Sequence, residues 1–90
     1  MSVRINMPIF LQAFTDNQEM IEVQGHTVGE CLEVVMKAYP NVKKLLVDDN
    51  GKLHSYVGIY VNGQDAFPGE TARAVKEGDE IHVLYALGGG

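Results

Sequence analysis

One stretch of this chain carries a long helical stripe, and it decides what the rest can fold into. At ~100° per residue, Val28, Cys31, Leu32, Val35, Met36 and Tyr39 share one side of a helix over residues 27–39. Glu30, Glu33 and Lys37 fall opposite. Thr27 with Glu30 three residues on has the spacing of a capping box, and Pro40 disfavours helical backbone in the residue before it. The remaining apolar weight lies in short, β-rich runs. A single amphipathic helix covers one face of a sheet and leaves the other to water or a partner. A doubly wound parallel sheet is therefore excluded. The expectation is an α+β domain, with four to five strands in a mixed sheet and one main helix across one face.

The strand signals follow the chain. Residues 3–9 alternate, with Val3, Ile5, Met7 and Ile9 on one face and Arg4 and Asn6 on the other. Thr15-Asp16-Asn17 is turn chemistry, and a second strand over residues 19–24, with Met20 and Ile21, closes a hairpin with a long loop. Residues 43–47 suggest a helical turn, and Asp48-Asp49-Asn50-Gly51 a sharp reversal. A third strand over residues 56–61 ends in Asn62-Gly63, a hairpin-type turn. A short edge segment is expected at residues 71–75. After Gly78-Asp79 the last strand runs over residues 80–86, with Ile81, Val83 and Tyr85 alternating with His82, Leu84 and Ala86.

Composition narrows the function. Ninety residues make one domain with one modest core. A net charge of -5 argues against nucleic acid, which needs a basic footprint, and suits partners with basic surfaces. No apolar run approaches the ~20 residues of a membrane span, and the first residues lack the apolar core of a secretory signal. The single cysteine allows neither an internal disulfide nor a cysteine-held metal cluster, iron–sulfur included, so a cytoplasmic location is expected. Cys31 reads as a buried structural thiol on the helix stripe. His26, His54 and His82 lack metal-ligand spacing, and Asp48-Asp49-Asn50 lacks the pattern of a calcium loop. No phosphate-binding loop and no nucleophile–base pair stands out, so no intrinsic cofactor and no intrinsic enzymatic activity are expected. On the open sheet face, Tyr60, His82 and Leu84 would project together as a docking surface beside the chain's end.

That end is three glycines, Gly88-Gly89-Gly90, directly after Tyr85-Ala86-Leu87. Glycine has no Cβ to obstruct a narrow site, so an arm of this kind can be threaded into an enzyme. With the β-β-α-β-β order, Val61-Asn62-Gly63 after the third strand, Gly78-Asp79-Glu80 before the last and the Gly89-Gly90 end, the chain resembles the ubiquitin-like sulfur carriers. That family includes the small subunit of molybdopterin synthase and the thiamine-pathway and cysteine-pathway carriers. Gly51-Lys52-Leu53-His54, Tyr56-Val57, Ile59-Tyr60-Val61-Asn62 and Pro8-Ile9-Phe10-Leu11 look closest to the cysteine-pathway branch. At Gly88, relatives often carry alanine.

The resemblance implies a β-grasp domain over residues 1–86 and a flexible glycine tail over 87–90. It implies that an E1-like adenylating enzyme uses ATP to activate the Gly90 carboxylate, which a sulfur donor converts to a thiocarboxylate. Gly89 is then the unhindered neighbour of the reacting group, and Leu87 and Gly88 join Tyr60, His82 and Leu84 in partner binding. The sulfur acceptor would be a synthase, either a pyridoxal-phosphate-dependent cysteine synthase or the large subunit of molybdopterin synthase; in the cysteine branch a zinc metallopeptidase trims the tail. Two rivals stand beside this reading. One is a protein modifier joined to lysines through Gly90; the other is a passive binding module with no covalent role.

Overall fold

The computed structural model describes residues 2–86. Its elements run β1 (Val3–Asn6), α1 (Ile9–Gln12), β2 (Met20–Val23), α2 (Val28–Ala38), α3 (Pro40–Leu46), β3 (Val57–Val61), β4 (Gln64–Asp65), a 3-10 turn (Glu70–Ala72) and β5 (Glu80–Tyr85). The five strands form one mixed sheet in the order β2-β1-β5-β3-β4. The first and last strands lie side by side and parallel at its centre, with Ile5 opposite Ile81. The other pairings are antiparallel. This is the expected β-grasp arrangement.

Period-two alternation sorts the sheet. Val3, Ile5, Val23, Val57, Ile59, Val61, Ile81 and Val83 are buried on the helix side. Against them α2 lays Val28, Cys31, Leu32 and Val35, and α3 lays Val42 and Leu46. Met36 and Tyr39 are half-buried at the margin of the same core. The Thr27 hydroxyl accepts from the Glu30 N–H (3.1 Å), while the Glu30 carboxylate accepts from the His26 N–H (2.8 Å). The cap is thus reciprocal, but its return bond reaches one residue earlier than in a standard capping box.

Three expectations are corrected. The first strand stops at Asn6, because Pro8 cannot donate to a ladder; its carbonyl instead accepts from Leu11 and Gln12 and starts α1. Ile9 therefore leaves the inner face and is 86% exposed, and Leu11 fills the core in its place. Pro40 ends α2 and also opens α3, at a first helical position where its missing N–H costs nothing. The fourth strand is not at residues 71–75. The type I′ conformation at Asn62 (φ 51°) and Gly63 (φ 84°) folds Gln64–Asp65 straight back onto β3. Residues 70–72 form the 3-10 turn, and only Ala74 makes a bridge, to Thr27.

Candidate functional site

Because β1 and β5 are parallel, the C-terminal end of β5 emerges beside the turn that follows β1. The Ala86 N–H donates to the Tyr56 carbonyl (3.0 Å), holding the last described residue against the start of β3. Tyr85 lies between two rings. Phe10 from α1 stacks on it with centroids 5.2 Å apart, and Tyr56 meets it edge-on at 5.1 Å. The contacts continue outward on both sides, to Phe14 beyond Phe10 (6.0 Å) and to His54 beyond Tyr56 (4.8 Å). His54 Nε2 donates to the Lys44 carbonyl (3.1 Å), which ties this ladder to α3. Burial pushes the Tyr85 phenol above its ordinary pKa, and hydrogen bonding with Tyr56 adds to the effect. Sequence reasoning missed this ladder, whose members come from three distant segments.

The opposite face carries the expected trio. Tyr60 is directly across from His82 in the β3–β5 register, and Leu84 lies across from Gly58. Lacking a side chain, Gly58 leaves Leu84 about half exposed above it. His82 Nε2 reaches Glu80 (3.0 Å), whose other oxygen meets Arg4 (3.3 Å), so a short charged row borders the apolar patch. Tyr60 and Leu84, with Tyr56, Gly58, Phe67 and Ala86, line an open groove of about 920 Å³. Phe67 is 72% exposed there and was not foreseen; an aromatic residue in the polar loop before Pro68 was the available signal. Leu87, Gly88, Gly89 and Gly90 lie outside the described residues. The structure therefore brings Tyr60, His82 and Leu84 onto one face, and Ala86, the last described residue, lines the same groove as Tyr60 and Leu84.

The other candidates have structural surroundings. Cys31 is buried, and burial first, then the neighbouring Glu30 charge, push its thiol pKa up, away from reactive thiolate. Asp48 accepts from the Lys52 and Asn50 N–H groups through one oxygen, and these bonds, Lys52's above all, hold its carboxyl below the ordinary range. Among the described residues, no three His, Cys, Asp or Glu side chains converge as metal ligands. No helix among them is long and apolar enough to cross a membrane.

The model of the ThiS family matches residues 4–90. The chain belongs to the ThiS family. Among similar proteins, the sulfur carrier protein CysO of Mycobacterium tuberculosis is 34% identical over 93 aligned positions that cover the whole of both chains. The small archaeal modifier protein 1 of Haloferax volcanii is 31% identical over 71 positions, 78% of each chain. Among solved structures, the Amycolatopsis orientalis BexX/CysO complex contains a chain with TM-score 0.87 and 34% identity, covering 98% of this chain and 99% of that one. This ThiS-family chain is thus a ubiquitin-like carrier in fold and kinship.

Proposed function

We propose that this chain is a sulfur carrier that acts through the carboxyl group of Gly90. The observation that carries the reading is the full-length similarity to the sulfur carrier CysO, which includes the Gly89-Gly90 end. A carboxylate is a poor electrophile because oxide is a poor leaving group. Attack of the Gly90 carboxylate on the α-phosphorus of ATP, in an E1-like partner, releases pyrophosphate and leaves an acyl-adenylate. Hydrosulfide, delivered by a sulfur donor, then adds to the carbonyl carbon and expels AMP, and loss of its proton leaves the thiocarboxylate. Gly89 and Gly90 present this carbonyl with no side chain in the way. The sulfur passes next to an acceptor-bearing synthase. The cysteine pathway, with its pyridoxal-phosphate enzyme and a zinc metallopeptidase, is favoured over the molybdopterin and thiamine pathways by the CysO likeness. The chain itself is a co-substrate rather than an enzyme, and it works in the cytoplasm. The face of Tyr60, His82 and Leu84, continued by Leu87 and Gly88, guides partner docking. That a relative's structure is a BexX/CysO complex supports a life spent binding partners.

The likeness to small archaeal modifier protein 1 favours a second reading, conjugation of Gly90 to lysines of other proteins. Mass analysis of protein isolated from its own cells separates the two. A carrier shows the mass gain of one oxygen exchanged for sulfur at Gly90. A modifier leaves Gly-Gly remnants on lysines of other proteins, and finding those remnants without the thiocarboxylate would overturn the carrier reading.

A further inference from the structure

We infer that the exposed apolar collar formed by Ile9, Phe10, Phe14 and Tyr56 is a second docking surface, which seats the apolar rim of the enzyme site that receives Gly90. The inference rests on the carrier reading and adds Ile9, Phe10 and Phe14, which Tyr85 links to Tyr56 in the groove of Tyr60 and Leu84. Small proteins bury their large apolar side chains where they can, and a contiguous exposed set marks an interface. Here Ile9 is 86% exposed, while Phe10, Tyr56 and Phe14 are each exposed by 37–40%. They are not scattered. Phe14, Phe10, Tyr85, Tyr56 and His54 form one unbroken run of ring contacts, none longer than 6.0 Å, and Ile9 is the neighbour of Phe10 in the same helical turn.

The length of the tail identifies the occupant. Tyr85 is at the centre of the run, and Gly90 is four residues past Ala86. Four extended residues reach roughly 14 Å. An enzyme that holds the Gly90 carboxyl must therefore bring its own surface close to the root of the tail, and the rings around Tyr85 are what that surface meets. Rigid aromatic side chains lose little conformational entropy on being covered and are frequent anchors of binding energy. The sequence kept Ile9 exposed at a position where the packing of α1 already has Leu11 to fill the core. A polar residue at position 9 would serve the fold equally well.

The test is ATP–pyrophosphate exchange by the cognate adenylating enzyme, measured against carrier concentration for the full-length chain and for Ile9→Glu and Phe14→Glu. Both positions are exposed, and thermal melts confirm that each variant is folded. The expected result is a rise in KM for the carrier of about tenfold or more with kcat nearly unchanged, since the charge obstructs docking and leaves Gly90 intact. A KM within about twofold of the parent in both folded variants would overturn the assignment. Absence of exchange with the unmodified chain would remove the carrier reading itself, and the collar's assignment with it.

Discussion

At the scale of single residues, the fold depends on a few polar clasps and close approaches. Asp79 is one. Its side chain is nearly buried, with one oxygen accepting from the Asn62 amide (3.0 Å) and the other from the Lys76 N–H (2.9 Å). Asn62 in turn accepts from the Glu80 N–H (3.0 Å), so the β3–β4 turn is fastened to the start of β5. The Asn62 bond first, and the Lys76 bond second, hold the Asp79 carboxyl below its ordinary range. A carboxyl whose pKa is lower folded than unfolded stabilises the fold above its unfolded value, and this contribution disappears as pH falls through the folded value. The urea midpoint should therefore hold steady from about pH 7 to about pH 5 and drop below about pH 4. Asp48 shares this direction but is exposed and contributes less. Asp79→Asn should start lower at neutral pH and decline less steeply in acid; an unchanged acid limb would show that the clasp does not carry the effect. Gly25 is a different case. A Cβ there would stand 2.8 Å from the Cys31 sulfur and 3.1 Å from the Cys31 nitrogen. Gly25→Ala should cost ~1–3 kcal/mol in denaturant melts, because the buried thiol cannot swing aside. Adding Cys31→Ala should restore part of the loss, since the sulfur is then gone and the backbone nitrogen remains.

At the scale of elements, α2 is the lid of the core. Leu32 is 2% exposed and packs among sheet residues, so Leu32→Ala should lower stability by ~2–5 kcal/mol. Thr27→Ala removes the acceptor for the Glu30 N–H and should cost ~1 kcal/mol. Urea melts of the two variants should rank in that order, and the reverse ranking would mean that the helix is held more by its cap than by its face. The stripe and cap of this element were legible because both are local: a helix repeats every few residues, and its N-cap answers a residue three positions away. The alternation of Ile81, Val83 and Tyr85 against His82 and Leu84 was legible for the same reason, and it put Leu84 on the open face correctly. Ile9 was misread because alternation alone does not register that Pro8 ends the ladder and hands the inward position to Leu11. The edge strand was misread because its two residues are too few for any period, although the Asn62-Gly63 turn signal already marked where a returning strand pairs. The ring ladder was illegible for a deeper reason. Phe10, Tyr56 and Tyr85 are neighbours only because β1 and β5 run parallel and β3 pairs with β5, a long-range fact that no local spacing encodes.

At the scale of the whole molecule, the carrier reading puts folding and chemistry on different parts of the chain. The buried apolar residues run from Val3 to Val83, and the last described backbone contact is Ala86 with Tyr56. Apolar burial is the main stabilising contribution, and Gly89 and Gly90 have no side chains to bury. Deleting these two residues should therefore leave the melting temperature and urea midpoint of the parent unchanged. The same deletion should abolish adenylation and sulfur loading, because the reacting carboxyl would then belong to Gly88 and fall short of the partner's site by two residues, roughly 7 Å of reach. Gly89→Val separates reach from access. It keeps the length and adds only a branched side chain next to the reacting group, so near-complete loss of exchange in this variant would show that the site admits bare backbone alone. Partner affinity measured without ATP should survive in both variants, since the collar at Phe10 and the open face at Leu84 are untouched. A truncated chain that melts like the parent and still accepts sulfur would place the chemistry somewhere other than Gly90. The described residues offer no obvious substitute: Cys31 is buried with its thiol pKa raised, and no metal-ligand cluster is present among them.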